Sequence, residues 1–117
     1  MLYEIIEALE KSKIVKEIIF KEADALESAS VIKIRASLEN SWILQVWQHQ
    51  TPDLLRYSYH VFDKDNKTIV RWDNAPHHEK ISTYPYHKHE KDRLVESDKM
   101  NIKKVLEELE KIVQQNT

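Results

Sequence analysis

The stretch SWILQVWQHQTPDLLRYSYHVFDKDNKTIVRWD, residues 41–73, decides the fold. Its apolar residues alternate with polar ones, the period of a half-buried strand. From Trp42 to His49, Trp42, Leu44 and Val46 point one way, and Ile43, Gln45 and Trp47 the other. Thr51-Pro52-Asp53 breaks that run, because proline cannot donate to a ladder. From Leu55 to Phe62, Tyr57, Tyr59 and Val61 share one face, and Ser58, His60 and Phe62 the other. Asp63-Lys64-Asp65-Asn66 is a hairpin turn, after which Thr68 to Asp73 pairs back. In that last run Ile69, Arg71 and Asp73 share a face, opposite Val70, Trp72 and Asn74.

Upstream, Ser30 to Leu38 is a further alternating run, joined to Trp42 by a Glu39-Asn40 turn in which Asn40 supplies the positive φ. Ile14 to Phe20 is read as a strand from its β-branched content. Met1 to Glu10 is a helix, with Leu2, Ile5, Ile6 and Leu9 on one side. Downstream, Pro76 and Pro85 make Asn74 to Ile81 a loop, Ser82 to His89 a short extended piece, and the charged Glu90 to Lys99 a surface loop. Ile102, Val105, Leu106, Leu109, Ile112 and Val113 form a helical stripe, with Asn101 as its N-cap. The expected fold is α+β: an antiparallel sheet of about five strands, with an N-terminal and a C-terminal helix packed on one face. Residues 1–117 are read as a single domain.

Composition narrows the chemistry. At 41% hydrophobic the chain has enough apolar residues to fold. Without cysteine there is no disulfide, thiolate metal site or thiol nucleophile. Without glycine there is no Gly-rich phosphate loop. A net charge of −2 is not the footprint of a nucleic-acid binder, so such a role needs a local cationic patch. No apolar run reaches the roughly 18–20 residues that span a bilayer. The N-terminus lacks a basic start and a cleavage site, so the expectation is a cytoplasmic protein without membrane contact.

Five of the six histidines fall between His60 and His89, and His77, His78, His87 and His89 lie within thirteen residues. Histidine titrates near neutrality, so a pair can serve as general base and general acid. Arg71 offers a permanently charged fork for phosphate. Together these suffice for metal-independent RNA cleavage by a 2′-hydroxyl on its neighbouring phosphate. Tyr57, Tyr59 and Lys88 are assigned to substrate contact, tyrosines being able to stack on unpaired bases. This reading calls for no cofactor and no metal. The alternative is a zinc or manganese site built from His-x-His, His-His and Asp73 for a metal-dependent hydrolase or nuclease. A non-catalytic binding module is the third reading. His49 and His60 are read as structural, and Trp42, Trp47 and Trp72 as core.

Four segments carry a resemblance: Tyr57-Ser-Tyr-His60, Asp63-Lys-Asp-Asn-Lys67, Arg71-Trp-Asp-Asn-Ala-Pro-His-His78 and Thr83-Tyr-Pro-Tyr-His-Lys-His89. The chain resembles the TumE family, toxins of type II toxin–antitoxin systems. The resemblance implies toxicity and a helix-turn-helix antitoxin partner of the TumA type. It also implies that Arg71, Asp73, Asn74, His77, His78, His87 and His89 form the site. Two departures stand out. Asp-Gly turns of the family are Glu39-Asn40 and Asp65-Asn66 here, and Tyr86 stands where the family often has a histidine. The expected function is therefore an endoribonuclease toxin that binds RNA. A homodimer is left open.

Overall fold

In the computed structural model, which describes residues 2–116, the alternating runs pair in simple chain order. Helix α1 (Leu2–Lys11) leads into strands β1 (Val15–Ala25), β2 (Ser30–Leu38), β3 (Ile43–Gln50), β4 (Leu55–Phe62) and β5 (Thr68–Asp73). After a turn-rich segment come β6 (His87–Glu90), β7 (Arg93–Glu96) and helix α2 (Ile102–Gln115). Every neighbouring pair is antiparallel.

The sheet therefore has seven strands, not about five. The last hairpin lies where a surface loop and a longer extended piece were expected. β6 and β7 are four residues each, and β7 is charged and mostly exposed. A short, charged edge strand carries no apolar alternation, because neither of its faces is buried. At the other edge β1 has two register shifts before Phe20 and continues beyond it to Ala25 through exposed residues.

The hairpin turns also differ in detail. The positive φ between β2 and β3 belongs to Ser41 (φ 74°), not Asn40. Ser41 N–H donates to Leu38 carbonyl at 3.1 Å, and Leu38 N–H to Trp42 carbonyl at 2.8 Å. This is a three-residue connection, in which the third residue takes the left-handed conformation. Asn40 contributes through its side chain, which accepts from Trp42 N–H at 3.2 Å. Asn66 (φ 63°) plays the corresponding part between β4 and β5.

Both helices cover the same face. Ile5 and Leu9 of α1 and Ile102, Val105, Leu106 and Leu109 of α2 join one apolar cluster with alternate residues of β2 to β5. The Asn101 side chain caps α2, accepting from Lys104 N–H at 2.9 Å. Tyr57 and Tyr59 belong to this cluster at 2% and 1% exposure, which corrects their assignment to substrate contact. Each buried phenol finds a partner, as it must. Tyr57 oxygen accepts from Met100 N–H at 3.1 Å, and Tyr59 oxygen accepts from the Gln48 amide at 2.8 Å. Burial pushes both phenols up to about 12.

Lys88 is also corrected. It lies on the helix side, with its ammonium 5.6 Å from the Trp72 ring centroid and 3.4 Å from Glu108 of α2. Trp72 indole N–H donates to the same Glu108 carboxylate at 3.0 Å. These contacts fasten α2 to the sheet and leave Lys88 facing away from the histidines.

Tyr57→Phe removes the acceptor for a buried backbone N–H and should destabilise the fold by about 1–3 kcal/mol. Urea denaturation should show a lower midpoint with an unchanged slope.

Candidate active site

The face of the sheet away from the helices carries no helix, and at its β5–β6 end the turn segment lies over it and buries Asp73 and His87. Cross-strand register decides what meets there: Asp73 lies opposite His87, and Arg71 opposite His89. On the other side of β5, Arg71 pairs with His60 and Asp73 with Ser58. Arg71 and Asp73 therefore sit on the opposite side of the sheet from Tyr57 and Tyr59.

Asp73 is the hub. It is buried at 6% exposure, and both its oxygens are used. Oδ1 accepts from Ala75 N–H at 3.1 Å and lies 2.6 Å from His87 Nε2. Oδ2 accepts from Arg71 Nε at 3.0 Å and lies 3.7 Å from His89 Nε2. His87 is buried at 2% exposure, and its Nδ1 is 3.0 Å from Pro85 carbonyl. A carbonyl and a carboxylate both only accept, so each ring nitrogen of His87 faces an acceptor for its hydrogen. His87 is thus held at both ends and closed to solvent, unlike the solvent-reachable group expected from the sequence.

The turn segment between β5 and β6 folds His78 over this pair. Ring centroids are 4.8 Å apart for His78 and His87, 5.6 Å for His78 and His89, and 5.0 Å for His87 and His89. One nitrogen from each of the three lies within 4.8 Å of the others. His78 and His89 are half-buried, so solvent reaches the cluster through them. His89 Nε2 is buried and has no hydrogen-bond partner. Burial and then the Arg71 charge hold His89 below its ordinary value of 6.5. Both effects favour the neutral ring.

Two predicted residues are not brought into the cluster. His77 is exposed on the turn and makes no ring contact with the other three. Asn74 is buried and structural: its Oδ1 accepts from Tyr57 N–H at 2.9 Å, and its Nδ2 donates to Leu55 carbonyl at 2.7 Å. Those bonds extend the β4–β5 pairing past the end of β5. His60 stands beside Arg71 with Nε2 2.8 Å from Thr68 Oγ1, and burial followed by Arg71 holds it below 6.5.

Sequence reading placed Trp47 in the core. It lies instead half-buried on the uncovered face, opposite Lys33 and Ser58. The alternation of β3 already set Trp47 against Leu44 and Val46. What alternation leaves open is which of two aromatic-bearing faces the helices cover.

Fold and site together define a small α+β protein carrying an aspartate-anchored histidine cluster on the open face of its sheet. The family model described as Toxin TumE matches residues 4–116, and the chain belongs to the TumE toxin family. Comparison with curated proteins and with solved structures gives no match.

Because His60 and His89 resist protonation in the fold, the unfolded chain binds more protons as pH falls through about 6.5. Stability is therefore full above that pH and declines below it. Denaturation series from pH 8 to 5 should show the decline, and His60→Gln should make it shallower. Arg71→Gln removes a cation beside His89, so the His89 ring resonance should titrate at higher pH in NMR.

Proposed function

We propose that the chain is the toxin of a type II toxin–antitoxin pair and acts as a metal-independent endoribonuclease through His78, His89 and Arg71. One observation carries the reading: three imidazoles meet around a buried carboxylate with a guanidinium alongside. Neutral His89 takes the proton of an RNA 2′-hydroxyl as its oxygen bonds to the adjacent phosphorus. The bond from phosphorus to the 5′-oxygen breaks, and that oxygen receives a proton from His78. A 2′,3′-cyclic phosphate and a free 5′-hydroxyl result. Arg71, whose side chain is 41% exposed, offsets charge on the phosphoryl oxygens. His87, closed to substrate, is a positioning residue: it fixes Asp73, and Asp73 fixes Arg71.

The family membership supports toxicity, and a toxin needs a neutralising partner. A helix-turn-helix antitoxin of the TumA type is the proposed one, and the compartment is the cytoplasm. Among the described residues no helix is long and apolar enough to cross a membrane.

A second reading has its own observation. His78, His87 and His89 present ligand atoms at metal-site spacing, and His89 Nε2 has no partner. The His87 Nδ1 contact with Pro85 carbonyl is of the kind that orients metal-bound imidazoles. Against it, Asp73 already occupies His87 Nε2, and Arg71 places a fixed cation beside the site.

His89→Gln and His78→Ala should each abolish growth inhibition and slow RNA cleavage by about 10²-fold or more, with melting preserved. Full toxicity in both variants refutes the catalytic assignment. Cleavage that survives excess EDTA in protein free of metal by elemental analysis excludes the second reading, and loss of cleavage restored by zinc or manganese establishes it.

A further inference from the structure

The uncovered face extends well beyond the histidines. Register links five strands into a continuous row: Lys33 of β2, Trp47 of β3, Ser58 of β4, Asp73 of β5 and His87 of β6. A second row runs beside it: Arg35, Gln45, His60, Arg71 and His89. Each row therefore starts on a cation at β2 and ends in the histidine cluster at β6. Four strand spacings of ~4.8 Å give a track of about 19 Å, room for a few nucleotides.

The electrostatics of this track oppose those of the whole chain. Net charge is −2, yet from β2 to β6 Asp73 is the only carboxylate in either row, and it is already paired with Arg71 and His87; at the two ends Glu22 of β1 stands opposite Lys33 and Glu96 of β7 opposite His87. Arg56 adds a further cation on β4, opposite His49 of β3. Among the described residues no carboxylate lies within ion-pair distance of Lys33, Arg35 or Arg56. The Arg35 side chain hydrogen-bonds Gln45 and lies over the Phe62 ring at 5.7 Å, so it is held against the sheet.

Aromatic surface lies in the same place. Trp47 and Phe20 line a groove of about 910 Å³ with Lys33, Arg35, Gln45 and Ser58, and with Glu22 as its one carboxylate against two cations. Phe20, at 48% exposure, has no cover from the helices, which occupy the other face. Cations that follow a phosphate chain, interleaved with rings on which bases stack, are the requirements of a single-stranded nucleic-acid surface. A duplex buries its base faces and cannot use Trp47.

We propose that single-stranded RNA binds across the open sheet face, with Lys33, Arg35 and Arg56 on its phosphates and a base on Trp47, and that this track delivers the strand to the histidine cluster. It rests on the ribonuclease reading for the identity of the strand, and binding can be measured without cleavage.

The probe is a fluorescein-labelled single strand of about ten 2′-O-methyl ribonucleotides of mixed sequence, which lacks the attacking hydroxyl. Anisotropy should show binding to the wild-type chain. Lys33→Glu/Arg35→Glu, both at exposed positions, should bind at least about tenfold more weakly with unchanged melting. Its salt slope should be smaller by about 1.4, at roughly 0.7 per lost phosphate contact. Trp47→Ala should weaken binding about tenfold, and RNA should quench wild-type tryptophan fluorescence more than that of this variant.

The proposal is overturned by absent wild-type binding, by equal binding of the charge-reversed variant, or by a duplex of the same sequence binding as tightly. It is also overturned if charge reversal abolishes antitoxin binding and leaves RNA binding intact, since the face then belongs to the protein partner. The two readings fail separately. Face-dependent binding with no cleavage of unmodified RNA upholds the track and defeats the nuclease. Cleavage with unchanged KM in the charge-reversed variant does the opposite.

Discussion

A carboxylate removed from water must be paired, because its desolvation otherwise exceeds what folding can offset. Asp73 meets that demand with three groups drawn from three places in the chain. Arg71 comes from its own strand, Ala75 N–H from the turn that follows, and His87 from the next strand. The start of the turn segment and the orientation of His87 are both held by this single anion. The site is rigid where Asp73 holds it and open where His78 and His89 reach solvent.

The sheet separates two kinds of chemistry. One face carries the apolar cluster and the phenols of Tyr57 and Tyr59, sealed under α1 and α2. The other carries the guanidinium and imidazoles, with Trp47 and Phe62 rather than the tyrosines as its aromatic surface. Lys88 marks the division. Its neighbours in sequence point to the open face, while its own ammonium lies over Trp72 and against Glu108 on the helix side. Adjacent strand residues cannot share a face, so a motif of three consecutive residues divides between the two sides.

Turn and edge details show where sequence signals weaken. Asn40 and Ser41 can each adopt positive φ at modest cost, so length of the connection, not composition, selected Ser41. β7 lies on an exposed edge, with no buried face to write a hydrophobic pattern into it. The family resemblance places Asn74 in the site together with Arg71, Asp73 and His77. Its amide is spent instead on Tyr57 N–H and Leu55 carbonyl, bonds to a strand distant in sequence.

The sequence by itself determined the strands from Ser30 to Asp73, the terminal helices, the absence of thiol and Gly-loop chemistry, and the concentration of histidines before β7. Periodicity and composition are local properties, and each of these conclusions needs only a local property. Only the tertiary structure decided which strand faces are buried, that His78 joins His87 and His89 while His77 does not, and that the cationic rows line up across β2 to β6. A shift of one residue in register turns every side chain of a strand to the other face, and register is set by long-range pairing.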